Sequence, residues 1–292
     1  MEGSGAFLLN NREMMRSLEK YLSTGVEQMN TYGNELYKGA ATYYSKYRPL
    51  YPSSLVRYLV KKFDLNGEQK LLDLGCGPGQ LTMRFSDWCE RIVGADLEPE
   101  MLAEAKRLHE ELRIGNVEWF QGDLSSFMNQ YDDVFDLVIM SKSFHWMDRP
   151  QVLEDLYERV NQGGGVAVID DYNPEKQLPL WQQKLNEVIA HWYGEERRAG
   201  NTTYSHPVKS HEEVIRQSPF TLEIYRFPTF EREWTIDSIV GNLYSTSYGS
   251  KRFLGDHVES FERDVREALL AIHEDGVFTE KVDLSIKFGM KV

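Results

Sequence analysis

The sequence predicts an α/β chain: a doubly wound, seven-stranded, mostly parallel sheet with a largely helical cap. Three observations predict it. Short apolar runs recur at 70–74, 91–96, 116–121, 134–140 and 164–170, with helical patterns between them. Strands that alternate with helices in this way pack as parallel βαβ units. The first run breaks into a turn with three glycines, Gly75-Cys76-Gly77-Pro78-Gly79, where a ligand can come close to bare backbone. Beyond 170 the alternation stops, and helical segments surround the last two strands.

The elements follow in order. Residues 12–30 and 53–63 read as helices, the first with a broken apolar pattern. Strand 70–74 carries Asp73, and a helical pattern from Gln80 to Trp88 follows the glycine turn; a helix N-terminus there offers unpaired N–H groups. Strand 91–96 ends in Asp96, after which Pro99 suits the first turn of a helix. Strand 116–121 runs into Gly122-Asp123. The unbroken apolar content of 134–140 marks a fully buried central strand. A turn at Gly163-Gly164-Gly165 leads into the fifth strand. Residues 178–193 form a helical pattern on Trp181, Leu185, Val188, Ile189 and Trp192, and 219–232 reads as a sixth strand. Helices are expected over 235–247 and 256–273. The alternation of Val282, Leu284, Ile286, Phe288 and Met290 makes 279–291 the last strand. The chain accordingly divides into an N-terminal helical cap segment (1–65), a nucleotide-binding core (66–174), cap insertions around the sixth strand (175–278) and the final strand (279–292).

The glycine spacing selects the ligand. A dinucleotide site needs G-x-G-x-x-G, and Gln80 or Thr82 stands where the third glycine belongs. An NAD-type oxidoreductase is therefore disfavoured. The spacing G-x-G-x-G, with Asp73 two positions before it, resembles motif I of class I S-adenosylmethionine-dependent methyltransferases, and implies a Rossmann-like sheet. On that resemblance Asp73, Gly75, Cys76, Gly77, Gly79 and Gln80 cradle the cofactor. Asp96 binds the ribose hydroxyls, or else caps the next helix. Asp123 accepts from the adenine amino group and the Leu124 N–H meets a ring nitrogen, unless Asp123 only closes an Asx-turn. Leu97, Met101, Gly122 and Ser141 complete the implied cofactor set.

The match sharpens at two further places. Tyr44-x-x-Tyr47-Arg48-Pro49-x-Tyr51-Pro52, ahead of the glycine turn, and His145-Trp146, after the fourth strand, resemble small-molecule methyltransferases of the trans-aconitate methyltransferase-like type. The resemblance covers about 40–170 and extends weakly to Trp234–Asp237 and Ser245–Tyr248. It implies that Tyr44 and Arg48 reach the cofactor's carboxylate; a guanidinium can donate to one bidentately. His145 is the candidate catalytic residue, as a base or as a group that orients the acceptor; Asp170 and Asp171 are acids that could assist a hydroxyl acceptor. The implied reaction moves a methyl group from S-adenosylmethionine to O or N of a small polar metabolite or natural product, leaving S-adenosylhomocysteine, with no metal. The alternative is a regulatory or structural protein that binds S-adenosylmethionine without turnover.

Composition sets bounds. With 292 residues, 41% of them hydrophobic, the chain can bury one large core or a core with a lid. No run of eighteen apolar residues spans a membrane, and the first residues lack the basic and apolar regions of a secretory signal. The only cysteines, Cys76 and Cys89, fit free thiols in a reducing cytoplasm. The formal charge of −13 argues against nucleic acid. It serves solubility, or a field favouring a cationic acceptor such as an amine or aminosugar. A monomer or homodimer is expected.

Overall fold

The computed structural model describes residues 35–292 apart from 174, 197, 201 and 205; the helix expected over 12–30 lies outside the described residues. Five parallel strands come first: β1 (Lys70–Leu74), β2 (Arg91–Asp96), β3 (Val117–Gln121), β4 (Phe135–Ser141) and β5 (Val160–Asp170). A two-residue hairpin, β6 (Arg198–Ala199) and β7 (Thr202–Thr203), is followed by β8 (Thr221–Arg226), β9 (Phe230–Thr235), β10 (Val277–Val282) and β11 (Ser285–Met290). The central sheet runs β3-β2-β1-β4-β5-β11-β8, with β11 antiparallel to both its neighbours. The chain builds outward to β3 and then returns to place β4 on the other side of β1. In open α/β sheets this switch point is where a crevice opens beyond the carboxyl ends of the strands.

Both faces of the sheet are covered, which is why its strands read as continuous apolar runs. Successive side chains point to opposite faces. Leu71, Ile92, Leu137, Ile139 and Ile169 pack with Leu55 and Leu59 of helix Ser53–Lys62. Leu72, Val93, Val138, Met140 and Val168 pack with Leu153 and Leu156 of helix Arg149–Arg159. A third cluster, separate from these two, joins Trp181, Ile239, Leu243, Phe261, Val265 and Phe278. It is the core of a cap made of helices Leu180–Tyr193, Ile236–Tyr244 and Val258–Leu270 and of the antiparallel β9–β10 ribbon.

Three expected elements differ. The helix expected from Gln80 to Trp88 is only a 3₁₀ turn, Thr82–Phe85. Thr82 and Phe85 are both fully buried, and a three-residue turn sets residues three apart on one side. The strand expected over 219–232 is two, β8 and β9, because Pro228 between them has no N–H to donate to a ladder. The last strand is likewise two, β10 in the ribbon and β11 in the sheet, with Thr229 donating to Asp283 across the bend at 2.6 Å. The alternation hid this break because Val282, Leu284, Ile286, Phe288 and Met290 are all buried, in whichever layer they lie. The glycines 163–165 also lie within β5, at an irregularity in its pairing with β4.

Candidate functional site

A cleft of about 240 Å³ opens at the carboxyl edge of β1, β4 and β5, beneath the β9–β10 ribbon and the cap helix Ile236–Tyr244. Its floor is the glycine turn. Gly75 and Gly79 have φ of +76° and +71°, and a Cβ at either would come within 2.4 Å of Ser143 or 2.2 Å of Trp119. Both are demanded by packing as much as by conformation. Gly77, at φ +55°, leaves room up to the Tyr44 ring 3.9 Å away.

Of the expected site residues, Tyr44, Arg48, Asp73, Gly75, Cys76, Gln80 and Ser141 line this cleft together. Asp73 is 1% exposed. Its Oδ2 accepts from the Thr82 hydroxyl at 2.6 Å, while Oδ1 has no partner. Burial pushes its carboxyl up to about 7. The Arg48 guanidinium lies 5.0 Å from the Tyr44 ring centroid and donates from Nη2 to the Ser245 carbonyl at 3.4 Å; its Nε is buried without a partner. Asn242 Oδ1 is in the same condition. Gln80 spends its amide on the Ser45 carbonyl, tying the N-terminal segment to the glycine turn.

The other expected residues lie outside that lining. Asp96 accepts from the Gly77 N–H at 2.7 Å and the Glu98 N–H at 2.9 Å, so its carboxylate fastens the turn to the end of β2. Burial nonetheless pushes that carboxyl upward. Leu97 is exposed beside it, and Met101 is buried against Ala40 and Ala41. Gly122 donates to the Asp96 carbonyl. Asp123 caps helix Leu124–Met128 by accepting from the Ser126 N–H at 2.8 Å. Leu124 is buried beneath it. The His145 ring packs against Trp146 (4.7 Å between centroids) and Tyr204 (5.9 Å). Burial, with His211 and His206 nearby, pushes its pKa down to about 3.

Sequence reasoning missed the basic groups of the cleft. Arg84, Lys142, Lys176 and Arg232 line it with Arg48, against the acids Asp73, Asp171 and Glu280. Lys142 sits at φ +54°, in the left-handed region, and its ammonium meets Asp171 at 2.7 Å. Burial pushes Asp171 upward, but Lys142 outweighs it and holds the carboxyl below its usual range. Glu280 takes Lys176 at 3.0 Å and the Trp234 N–H at 3.0 Å, with Arg232 at 4.0 Å. Apart from Asp171, already named as a candidate acid, these residues are scattered from 84 to 280, so no run or motif could announce them. Among the described residues no group of three or more His, Cys, Asp or Glu is placed to hold a metal ion, and no helix is long and apolar enough to cross a membrane.

Part of the chain resembles known proteins. Residues 71–164 match the model of a methyltransferase domain. A malonyl-[acyl-carrier protein] O-methyltransferase of Paenibacillus sp. strain JDR-2 is 30% identical over 158 residues, 53% of this chain and 56% of that protein. The uncharacterized methyltransferase YcgJ of Bacillus subtilis is 27% identical over 134 residues, 46% of this chain and 50% of YcgJ. The crystal structure of YcgJ superposes with a TM-score of 0.53 at 18% identity, covering 82% of this chain and 100% of that one; the fold is shared. The chain spans about half the length of the curated relatives it matches. Residues 71–164 therefore carry a methyltransferase domain, built on a Rossmann-like sheet.

Proposed function

We propose that the chain is an S-adenosylmethionine-dependent methyltransferase acting on O or N of a small polar acceptor held under the cap. One observation carries this reading: the partnerless atoms Arg48 Nε and Asp73 Oδ1 lie in one cleft beside the glycine turn. Buried polar groups are ordinarily satisfied. A cationic donor and an acidic acceptor left open together fit the carboxylate and ammonium of the cofactor's methionine part. When bound, S-adenosylmethionine supplies a methyl group activated on a sulfonium.

The chain's own residues bind and orient. Arg48 donates to the carboxylate, with Tyr44 stacked beneath its guanidinium. Asp73 accepts from the ammonium. Gly77 keeps the turn bare, and Asp96 offers its remaining lone pairs to the ribose. Asp123 and the Leu124 N–H address the adenine. Positioning of this kind contributes up to about 7–11 kcal/mol in well-oriented reactions. His145, held neutral by burial, serves as an orienting group rather than a base.

The acceptor falls to Lys142, Lys176 and Arg232. Five basic groups face three acids in the cleft, although the whole chain carries −13. That lining favours an acceptor with an anionic group over the cationic one that the net charge suggests. The YxxYRP segment sets the chain beside the trans-aconitate methyltransferase-like type, working in a reducing cytoplasm as a monomer or homodimer. The test is turnover of S-adenosylmethionine to S-adenosylhomocysteine with a panel of anionic, neutral and amine acceptors. Formation of product with an anionic acceptor is expected. Tight cofactor binding without turnover of any acceptor would leave a regulatory protein instead.

A further inference from the structure

We infer that Asn242, on a cap helix, is the third arm of the subsite for the amino-acid head of the cofactor, so that the cap completes the cofactor site. This rests on the reading that the cofactor is S-adenosylmethionine. Asn242 Oδ1 is buried, lines the cleft and has no hydrogen-bond partner, like Arg48 Nε and Asp73 Oδ1. The three differ in chemistry: one cationic donor, one acid, one neutral acceptor. An α-amino-acid head matches that set. Its carboxylate takes the guanidinium, and its ammonium has three N–H groups to place, more than the single open oxygen of Asp73 can receive.

The packing explains why Asn242 stands there. Gly241 faces the Tyr47 ring, which comes within 2.3 Å of where a Cβ would be. Lacking that carbon, helix Ile236–Tyr244 lies directly on helix Ala41–Tyr47, which leads into Arg48. The two helices are then pinned at their ends. Arg48 Nη2 donates to the Ser245 carbonyl, and the Ser245 N–H and hydroxyl both donate to the Asn242 carbonyl. Arg48 and Asn242 are thereby fixed to one helix turn, with their open atoms in the same cleft. A residue that served only the cap core would be apolar, as Ile239 and Leu243 on the same helix are.

The test measures binding calorimetrically for two probes: S-adenosylhomocysteine, which has the amino-acid head, and 5′-methylthioadenosine, which lacks it. Asn242→Ala is expected to weaken S-adenosylhomocysteine about tenfold, the loss of one hydrogen bond to a charged group, and to leave 5′-methylthioadenosine within about twofold. Asn242→Asp keeps an acceptor and adds charge, so it should bind S-adenosylhomocysteine at least as tightly as the wild type. Unchanged S-adenosylhomocysteine affinity in Asn242→Ala overturns the inference. So does an equal loss for both probes, the mark of a structural role, or a loss in Asn242→Asp matching that in Asn242→Ala. If the wild type binds neither probe, the cofactor reading itself fails, and that outcome is distinct from the others.

Discussion

Two sets of polar groups line the same cleft and are left in opposite states. Arg48, Asp73 and Asn242 each keep a buried atom without a partner. The charges nearer the β9–β10 ribbon satisfy one another: Lys142 with Asp171, and Glu280 with Lys176, Arg232 and Trp234. The first set is preformed for a ligand that arrives with matching charges, because leaving such atoms unmet costs about 1–3 kcal/mol each. The second set is stable as it stands. A ligand that binds there must re-pair ions rather than complete them, so a weaker and more adaptable grip is expected. A cofactor common to a fold suits the first arrangement, and an acceptor particular to one enzyme suits the second.

The sharpest way to break this contrast is Arg48→Ala. Removing a charged donor from a ligand carboxylate should weaken S-adenosylmethionine by about 10- to 100-fold, the equivalent of 1.5–3 kcal/mol. The acceptor KM at saturating cofactor should hold. If calorimetry finds cofactor affinity intact and kinetics find the acceptor KM raised, Arg48 belongs to the second set and the assignment is reversed.

Arg232→Gln is the counterpart. Arg232 lies 4.0 Å from Glu280, so its loss leaves Glu280 still paired with Lys176 and Trp234. An anionic acceptor should then show a KM raised about tenfold with cofactor affinity unchanged. A lower KM would point to a cationic acceptor that Arg232 had been repelling.

The contrast also separates what the sequence reveals from what it hides. The cofactor side was legible because its chemistry is local: strand, acid, glycine turn and second acid follow one another from Asp73 to Asp96. Arg48 was reached only through the YxxYRP resemblance. On the acceptor side only Asp171 was named from the sequence; Lys142, Lys176, Arg232 and Glu280 were illegible because they meet it only after the ribbon folds over the sheet edge. Asp283, where the chain passes from that ribbon into the sheet, sits within a run whose alternation from Val282 to Met290 continues unbroken. Asn242 has no signature either. Its importance comes from Gly241, whose missing Cβ matters only once Tyr47 lies against it.

A smaller effect comes from Asp73, whose carboxyl burial raises to about 7 from 3.8. The folded protein therefore holds a proton that the unfolded chain releases. Stability linked to this group is complete below about pH 4 and is lost as pH rises through 7. Asp73→Asn removes that loss, so its melting temperature should exceed the wild type's at pH 8, and the gap should close toward pH 4. An ionised Asp73 is what an ammonium needs, so S-adenosylmethionine should bind the wild type a few-fold more tightly at pH 8 than at pH 6. That slope should vanish in Asp73→Asn. A slope that persists there would move the titrating group elsewhere in the cleft.

The smallest change is expected at His145, and its form matters more than its size. A general base works best with a pKa near the working pH, and burial pushes this imidazole down to about 3. It is neutral at pH 7 and holds a proton too weakly to take one from an acceptor. Its ring also packs on Trp146 and Tyr204, outside the residues that line the cleft. His145→Ala should therefore raise the acceptor KM a few-fold by loosening that aromatic support, and leave the pH–rate profile unchanged between pH 6 and 9. Loss of a base would instead lower kcat by about 10²–10⁴ and abolish an acidic limb of the profile. Steady-state kinetics of this one variant across pH separate the two, since orientation appears in KM and proton transfer in kcat. A large kcat loss with the limb removed would require the ring to turn into the cleft when the acceptor binds, placing His145 with the groups that wait for a ligand.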